Sequence, residues 1–199
     1  MESLKIQQMR RKRLSSLQKD FLVGTLLGDG YLMKTTKGCC LRIHHGKNAK
    51  EFIDWKYKIF KDFVNTPPKF DGHGFYFRTV SNPAFSAYRK LFYHGKRKVF
   101  SEKVENLLSP IGLAVWIMDD GSKCGGCIRL HTYSFNYREH LKIQRVLENK
   151  FGIKCNIQKD KGMFRLWIRS ESMPSLVKMV KPHFIPSMLY KLPRNDFNG

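Results

Sequence analysis

Three carboxylates stand where this chain is otherwise least acidic. Residues 22–30 (Leu-Val-Gly-Thr-Leu-Leu-Gly-Asp-Gly) and 113–121 (Leu-Ala-Val-Trp-Ile-Met-Asp-Asp-Gly) are apolar nearly throughout, and each stretch stops at Asp-Gly. They deliver Asp29 and the pair Asp119-Asp120 in a chain of formal net charge +21. Hard divalent cations take oxygen ligands, and Mg²⁺ is commonly held by one or two carboxylates with phosphate and water. A metal so held activates water and stabilises the leaving oxygen of an in-line displacement. A single Asp-Gly at a helix end is ordinarily a turn residue. Two of them at equivalent positions, each after an apolar helix, point to catalysis instead. Gly28, Gly30 and Gly121 leave room for phosphate and metal to approach the backbone.

The elements that must position these acids follow from the same stretches. A helix apolar on all sides has to be buried on most of them. The two stretches bury each other if they pack in parallel, with Gly24 and Ala114 small enough for close approach. Asp29 and Asp120 then lie together at the helix ends. Ser15 with Gln18 has capping-box form for the first helix, and Ser109-Pro110 supplies an N-cap and a first-turn proline for the second.

Around them the chain repeats with a period of roughly 90 residues, far too long for a solenoid. Cys40-Leu41-Arg42-Ile43-His44 reads as a strand with Leu41 and Ile43 inward, Arg42 and His44 outward, and Cys127-Ile128-Arg129-Leu130-His131 restates it. Asn48 with Glu51 is expected to cap a helix carrying Phe52, Trp55, Ile59 and Phe63. Asn136 with Glu139 restates that cap, before a helix carrying Leu141, Val146, Leu147 and Phe151. Residues 75–78 and 164–169 alternate as further strands, a helix runs from Pro83 to Leu91 and another from Met173 to Val180, and residues 95–98 read as a basic loop. The expected fold is α+β. Two pseudo-symmetric αββαββα repeats lie in one chain, their antiparallel sheets form a saddle, and the two motif helices pack at the repeat interface. The expected divisions are a basic arm at 1–14, a first repeat at 15–108, and a second repeat with a basic tail at 109–199.

Composition bounds the partners. At 42% hydrophobic and 13% aromatic, 199 residues can bury a real core, which excludes global disorder. A charge of +21 implies a polyanion, DNA or RNA before an acidic membrane surface. No apolar run approaches the roughly 18 residues of a membrane span, and no signal-peptide core is visible. Five cysteines, an odd number, point to reduced thiols; Cys124 and Cys127 form a CxxC without a well-spaced second pair for zinc. The outward residues Arg42, His44, Tyr76 and Arg78 in one half, and Arg129, His131, Arg165, Trp167 and Arg169 in the other, are the expected DNA contacts, with Lys34 and Lys123 beside them.

The two stretches resemble the paired signature motifs of the LAGLIDADG homing endonucleases. The first is a good match; the second is looser, with Val115 where glycine is usual and Met118 at the sixth position. Residues 109–121 and 181–193, the latter with its Tyr-Lys-Leu-Pro, are similar to the single-chain branch containing the yeast mitochondrial omega-intron endonuclease. The resemblance implies that Asp29 and Asp120, at the eighth motif position, are the metal-binding aspartates. It implies that backbone carbonyls at Gly28 and Asp119 join the metal shell, the Asp119 carboxylate having a lesser role. It implies a catalytic lysine in each half. Lys191 matches the second; for the first, Arg97 falls at the lysine's place and Phe100 at that of the family's proline, leaving Arg97 and Lys98 both as candidates. The implied activity is a double-strand break in a long double-stranded DNA target by a monomer. The implied cofactor is Mg²⁺, with Mn²⁺ as a substitute and Ca²⁺ supporting binding without cleavage. An intron RNA maturase, with intron RNA as partner, and a nuclease-inactive DNA-binding regulator are the alternatives on the same fold. A mitochondrion, a chloroplast and a prokaryotic cytoplasm all fit a mobile-intron origin.

Overall fold

The computed structural model describes residues 3–193; the first two residues of the arm and residues 194–199 of the tail lie outside it. The arm is not a loose lead-in. Leu4–Arg11 forms a helix, α1, whose C-terminal end is fastened to the first repeat. There the Asn82 side-chain amide donates to the carbonyls of Met9, Arg10 and Lys12, and Lys12 pairs with Asp62 at 2.9 Å.

The first motif helix, α2 (Ser16–Leu27), starts with the expected reciprocal cap. The Gln18 N–H donates to the Ser15 hydroxyl, and the Ser15 N–H donates to the Gln18 side chain. Strands β1 (Tyr31–Thr35) and β2 (Gly38–Gly46) follow, then helix α3 (Lys50–Phe60), strands β3 (Lys69–Phe70) and β4 (Gly74–Arg78), and helix α4 (Pro83–Phe92). The expected cap at Asn48 is absent. Residues Lys47–Ala49 take a tight 3₁₀ turn, which puts Ala49 at the N-cap with no side-chain bond. The expected basic loop at 95–98 is the turn and return strand of a small hairpin, β5 (Tyr93–His94) with β6 (Arg97–Lys98).

After a connecting helix α5 (Glu102–Leu107), the order repeats. It runs through α6 (Pro110–Asp120), β7 (Gly121–Cys124), β8 (Cys127–Leu130), α7 (Tyr137–Phe151), β9 (Cys155–Asp160), β10 (Met163–Ile168) and α8 (Met173–Val180). The two four-stranded sheets are antiparallel with the same order, β1-β2-β4-β3 and β7-β8-β10-β9. Helix α7 carries the full capping box of Asn136 and Glu139. Its inward face is His140, Ile143, Val146 and Leu147. Leu141, expected inside, is 40% exposed because it falls off that stripe.

The centre of the molecule is the contact of α2 with α6. Leu22, Leu26, Leu113, Val115, Trp116 and Ile117 are completely buried there, each such apolar side chain worth roughly 1.5–3 kcal/mol. A Cβ on Gly24 would lie 2.2 Å from the Gly112 carbonyl oxygen, and one on Gly28 would lie 2.5 Å from the Asp119 side chain. Contacts at Asp20 with Gly112 and at Gly28 with Asp119 advance together along both helices, so the helices run parallel. The small residue facing Gly24 is Gly112, not Ala114.

Candidate metal centre and nucleic-acid interface

Parallel packing brings both motif ends to one place. Asp29, just past the end of α2, is 47% exposed. Its backbone N–H donates to Asp119 Oδ2 at 3.3 Å, and its own Oδ2 lies 3.4 Å from His45 Nδ1. Burial raises its pKa, but the contact with His45 and the charges of Lys56 and Lys98 outweigh that and hold the carboxyl below its ordinary value. Asp120 ends α6 and accepts from the indole N–H of Trp116 at 3.2 Å. Burial first, then the charges of Asp119 and Asp29, push its pKa up to about 8 against the pull of Lys98. A carboxylate crowded by two others is suited to a cation, whose charge reverses that logic.

Two lysines cap the motif helices. Lys98 Nζ donates to the Gly28 carbonyl at 2.5 Å, and Lys191 Nζ donates to the Met118 and Asp119 carbonyls at 2.5 and 2.9 Å. Burial lowers the pKa of both ammonium groups, while Asp29, Asp119 and Asp120 oppose the shift. Lys98 arrives on β6 and Lys191 on a 3₁₀ segment, Pro186–Lys191. Arg97, the neighbouring candidate, points elsewhere. Its guanidinium donates to Glu139 Oε2 at 2.7 Å and ties the β5–β6 hairpin to the start of α7.

Two residues near this centre, Lys56 and His45, escaped the sequence reading. The Asp119 carboxylate is fully buried and pairs with Lys56 Nζ at 2.5 Å, and Lys56 is equally buried. His45 completes the group, with its Nε2 3.6 Å from Asp119 Oδ1. Asp29, His45 and Asp119 each present one ligand atom within 4.8 Å of the others. The signals were present in the chain. His45 continues the inward alternation of Leu41 and Ile43, and Lys56 lies on the helical stripe of Phe52, Ile53 and Phe60.

The outer faces of the sheets carry the expected basic residues. Cross-strand register puts Arg42 opposite Arg78 and His44 opposite Tyr76 on one sheet, and Arg129 opposite Trp167 on the other. Arg42 lies over the Tyr76 ring at 5.2 Å, and His44 contacts Asp71 at 3.1 Å. A groove of about 770 Å³ crosses the first outer face, and Arg10 of α1 reaches its lining beside Arg42, Lys69, Tyr76 and Arg78. On the second sheet the Ser122 hydroxyl lies 2.8 Å from His131 Nε2, and His131 Nδ1 lies 3.0 Å from the Tyr133 hydroxyl. That hydroxyl donates to Asp160 at 2.6 Å, and Arg165 donates to the same carboxylate oxygen at 2.9 Å. Burial and the nearby Arg165 charge lower the His131 pKa, while Asp160 opposes the shift. Arg169 lies just past β10 and bonds Glu171. Lys34 and Lys123 lie apart from this set. Lys34 is paired with Cys39 and Lys123 with Ile128, which turns both side chains to the face opposite Arg42 and Arg129.

Residues 19–176 match the profile of the LAGLIDADG DNA endonuclease family. The chain is 30% identical over 197 residues to the cytochrome b mRNA maturase bI2 of Debaryomyces hansenii, covering 91% of this chain and 75% of that protein. It is 35% identical over 127 residues to a probable intron-encoded DNA endonuclease 3 of Mycosarcoma maydis, covering 60% and 93%. Its fold is similar to that of the homing endonuclease I-WcaI bound to its DNA recognition sequence, with a TM-score of 0.89, 26% identity, and coverage of 98% and 94%. With two motif helices, two sheets of one topology and a match over most of its length, the chain belongs to the LAGLIDADG DNA endonuclease family.

Proposed function

We propose that this chain is a site-specific homing endonuclease that makes a metal-dependent double-strand break in a long DNA target. One observation carries the reading: Asp29 and Asp120 end two parallel helices between two basic sheets, with an ammonium group on each helix's terminal carbonyls. The donors there, two carboxylates and the backbone carbonyls of Gly28 and Asp119, are hard oxygens that suit Mg²⁺, with Mn²⁺ as a substitute and Ca²⁺ for binding alone. Bound divalent metal would supply an activated water and stabilise the leaving oxygen. Asp29 and Asp120 hold the metal, each serving one strand. Lys98 and Lys191 offset charge gathering on the phosphate, as pre-placed cations in a partly dried site. Arg42, His44, Tyr76, Arg78, Arg129, His131, Arg165, Trp167 and Arg169 contact DNA; phosphate contacts supply affinity and base-edge contacts supply register. We divide the chain into repeats at 15–108 and 109–199, and take the reading frame as intron-borne, in a mitochondrion, a chloroplast or a prokaryotic cell.

The test uses the uninterrupted allele of the reading frame's own locus as a duplex. Wild type is expected to cut both strands in Mg²⁺ and to bind without cutting in Ca²⁺. Asp29→Asn and Asp120→Asn should each keep DNA affinity and abolish the double-strand break. A variant that still cuts both strands at the normal rate would remove that aspartate from the metal centre. The likeness to a maturase supports a second reading, an intron-RNA partner, which retention of both acids does not require. Binding to the flanking intron RNA, with no specific binding to the DNA allele, would favour it. Tight DNA binding with no cut in Mg²⁺ or Mn²⁺ would favour a regulator.

A further inference from the structure

The pseudo-two-fold axis of this molecule is broken at its centre. The seventh motif position is Gly28 in one helix and Asp119 in the other, and the two face each other. Only one of them can carry a side chain, because a Cβ on Gly28 would collide with the Asp119 carboxylate at 2.5 Å. That carboxylate crosses toward the first repeat. Its partners are Lys56 of α3 at 2.5 Å, the Asp29 backbone N–H at 3.3 Å, and the ring of His45 at 3.6 Å. Every named partner belongs to the first half. Lys56 and the Asp119 side chain are without solvent exposure, and the Lys56 ammonium also sits 4.5 Å from the Phe52 ring centroid. His45 is 7% exposed on its side chain. Its Nε2 makes no hydrogen bond among the described residues while its Nδ1 faces the Asp29 carboxylate.

We infer that Asp119, fixed by Lys56 and His45, is a one-sided brace that positions Asp29 and has no counterpart behind Asp120 among the described residues. Lys56 supplies the cation that the buried Asp119 carboxylate needs, so this carboxylate acts on Asp29 through its backbone N–H rather than as a second metal ligand. His45 reaches both carboxylates, with Nδ1 on Asp29 and Nε2 toward Asp119. Among the described residues the Asp120 carboxylate accepts one hydrogen bond, from the Trp116 indole N–H on its own helix. The two halves of the centre therefore rely on different supports, and one strand of the target depends on the brace while the other does not.

This inference rests on the endonuclease reading, and one assay separates the two. A duplex of the uninterrupted allele, labelled at both 5′ ends, is cut by the full chain in Mg²⁺, and each strand is timed. Two variants are compared with wild type: the double variant Lys56→Met with Asp119→Asn, which removes both buried charges together, and His45→Gln, which keeps size and polarity. In both variants the same strand should slow by about tenfold or more while the other stays within about twofold, so that nicked duplex accumulates. DNA affinity in Ca²⁺ should hold. Calorimetric titration of the protein–DNA complex with Ca²⁺ should show weakened ion binding in the variants. Parallel slowing of both strands, or no slowing of either, would overturn the brace even with wild type cutting normally. A wild type that binds DNA and never cuts would overturn the brace and the endonuclease reading together. If the double variant fails to fold, as circular dichroism would reveal, His45→Gln decides alone by the same criterion.

Discussion

Lys56 carries its charge into a site closed to solvent, and what makes that tolerable is a geometry of 2.5 Å to one carboxylate and 4.5 Å to the Phe52 ring. His140 is the opposite case, a buried titratable group kept neutral. Its Nδ1 donates to the Asn136 carbonyl at 2.8 Å, and its Nε2 lies 2.7 Å from the Thr132 hydroxyl. Burial lowers its pKa from 6.5 despite the opposing backbone carbonyls. The unfolded chain therefore binds a proton first as pH falls. Stability from this residue is present above pH 6.5 and is lost as pH drops from there toward the lower folded-state pKa. His140→Gln should flatten that part of the curve: as pH falls below 6.5, the melting temperature of wild type drops faster than that of the variant. Equal slopes would mean the ring accepts its second proton without cost. At this scale the placing of Asp29 and Asp120 was legible, because an acid closing an apolar helix stands out, whereas Lys191 came from the resemblance of its Tyr-Lys-Leu-Pro setting. The chain hid Lys56 and His45, because a lysine on an amphipathic helix and a histidine among basic residues read as solvated until their periodicity is counted against the core stripe.

Helices α2 and α6 meet so closely that two glycines set the distance. Gly24→Ala would bring a Cβ to 2.2 Å from the Gly112 carbonyl oxygen and 2.7 Å from Val115 Cβ, and backbone cannot yield as a flexible side chain does. The expected cost is about 1–3 kcal/mol. In urea titration the midpoint should fall while the slope is kept. Gly46→Ala is the control: it has open space around it, and the change should stay within about 0.5 kcal/mol. The strands were legible where apolar and polar residues alternate, as in β10. The faces of Lys34 and Lys123 were not legible, because each lies on an edge strand and the side it turns to follows from the cross-strand register. The missing Asn48 cap has a similar origin. The sequence pattern at 48–51 matches that at 136–139, but the first copy enters its helix through a 3₁₀ turn and the second enters directly.

As a whole the molecule is a basic platform around a small acidic centre. Phosphate contacts release counterions, so affinity for its DNA should fall by at least about a thousandfold between 50 and 200 mM salt if six or more cations engage the backbone. A much shallower dependence, read by filter binding across salt, would mean that the outer faces do not lie along the duplex. The pseudo-dimer was legible because strand, cap and motif recur in one order. The one-sidedness of its centre was not, since it depends on which of two facing positions lacks a side chain. The outer faces differ too: Arg42, His44, Tyr76 and Arg78 have as counterparts Arg129, His131, Arg165 and Trp167, with Arg165 held by Asp160. A reader whose two hands differ has no use for a palindrome. Its target can have a left and a right, the protein can sit on it in one direction only, and each half of the site is free to drift in sequence without its mirror image having to follow.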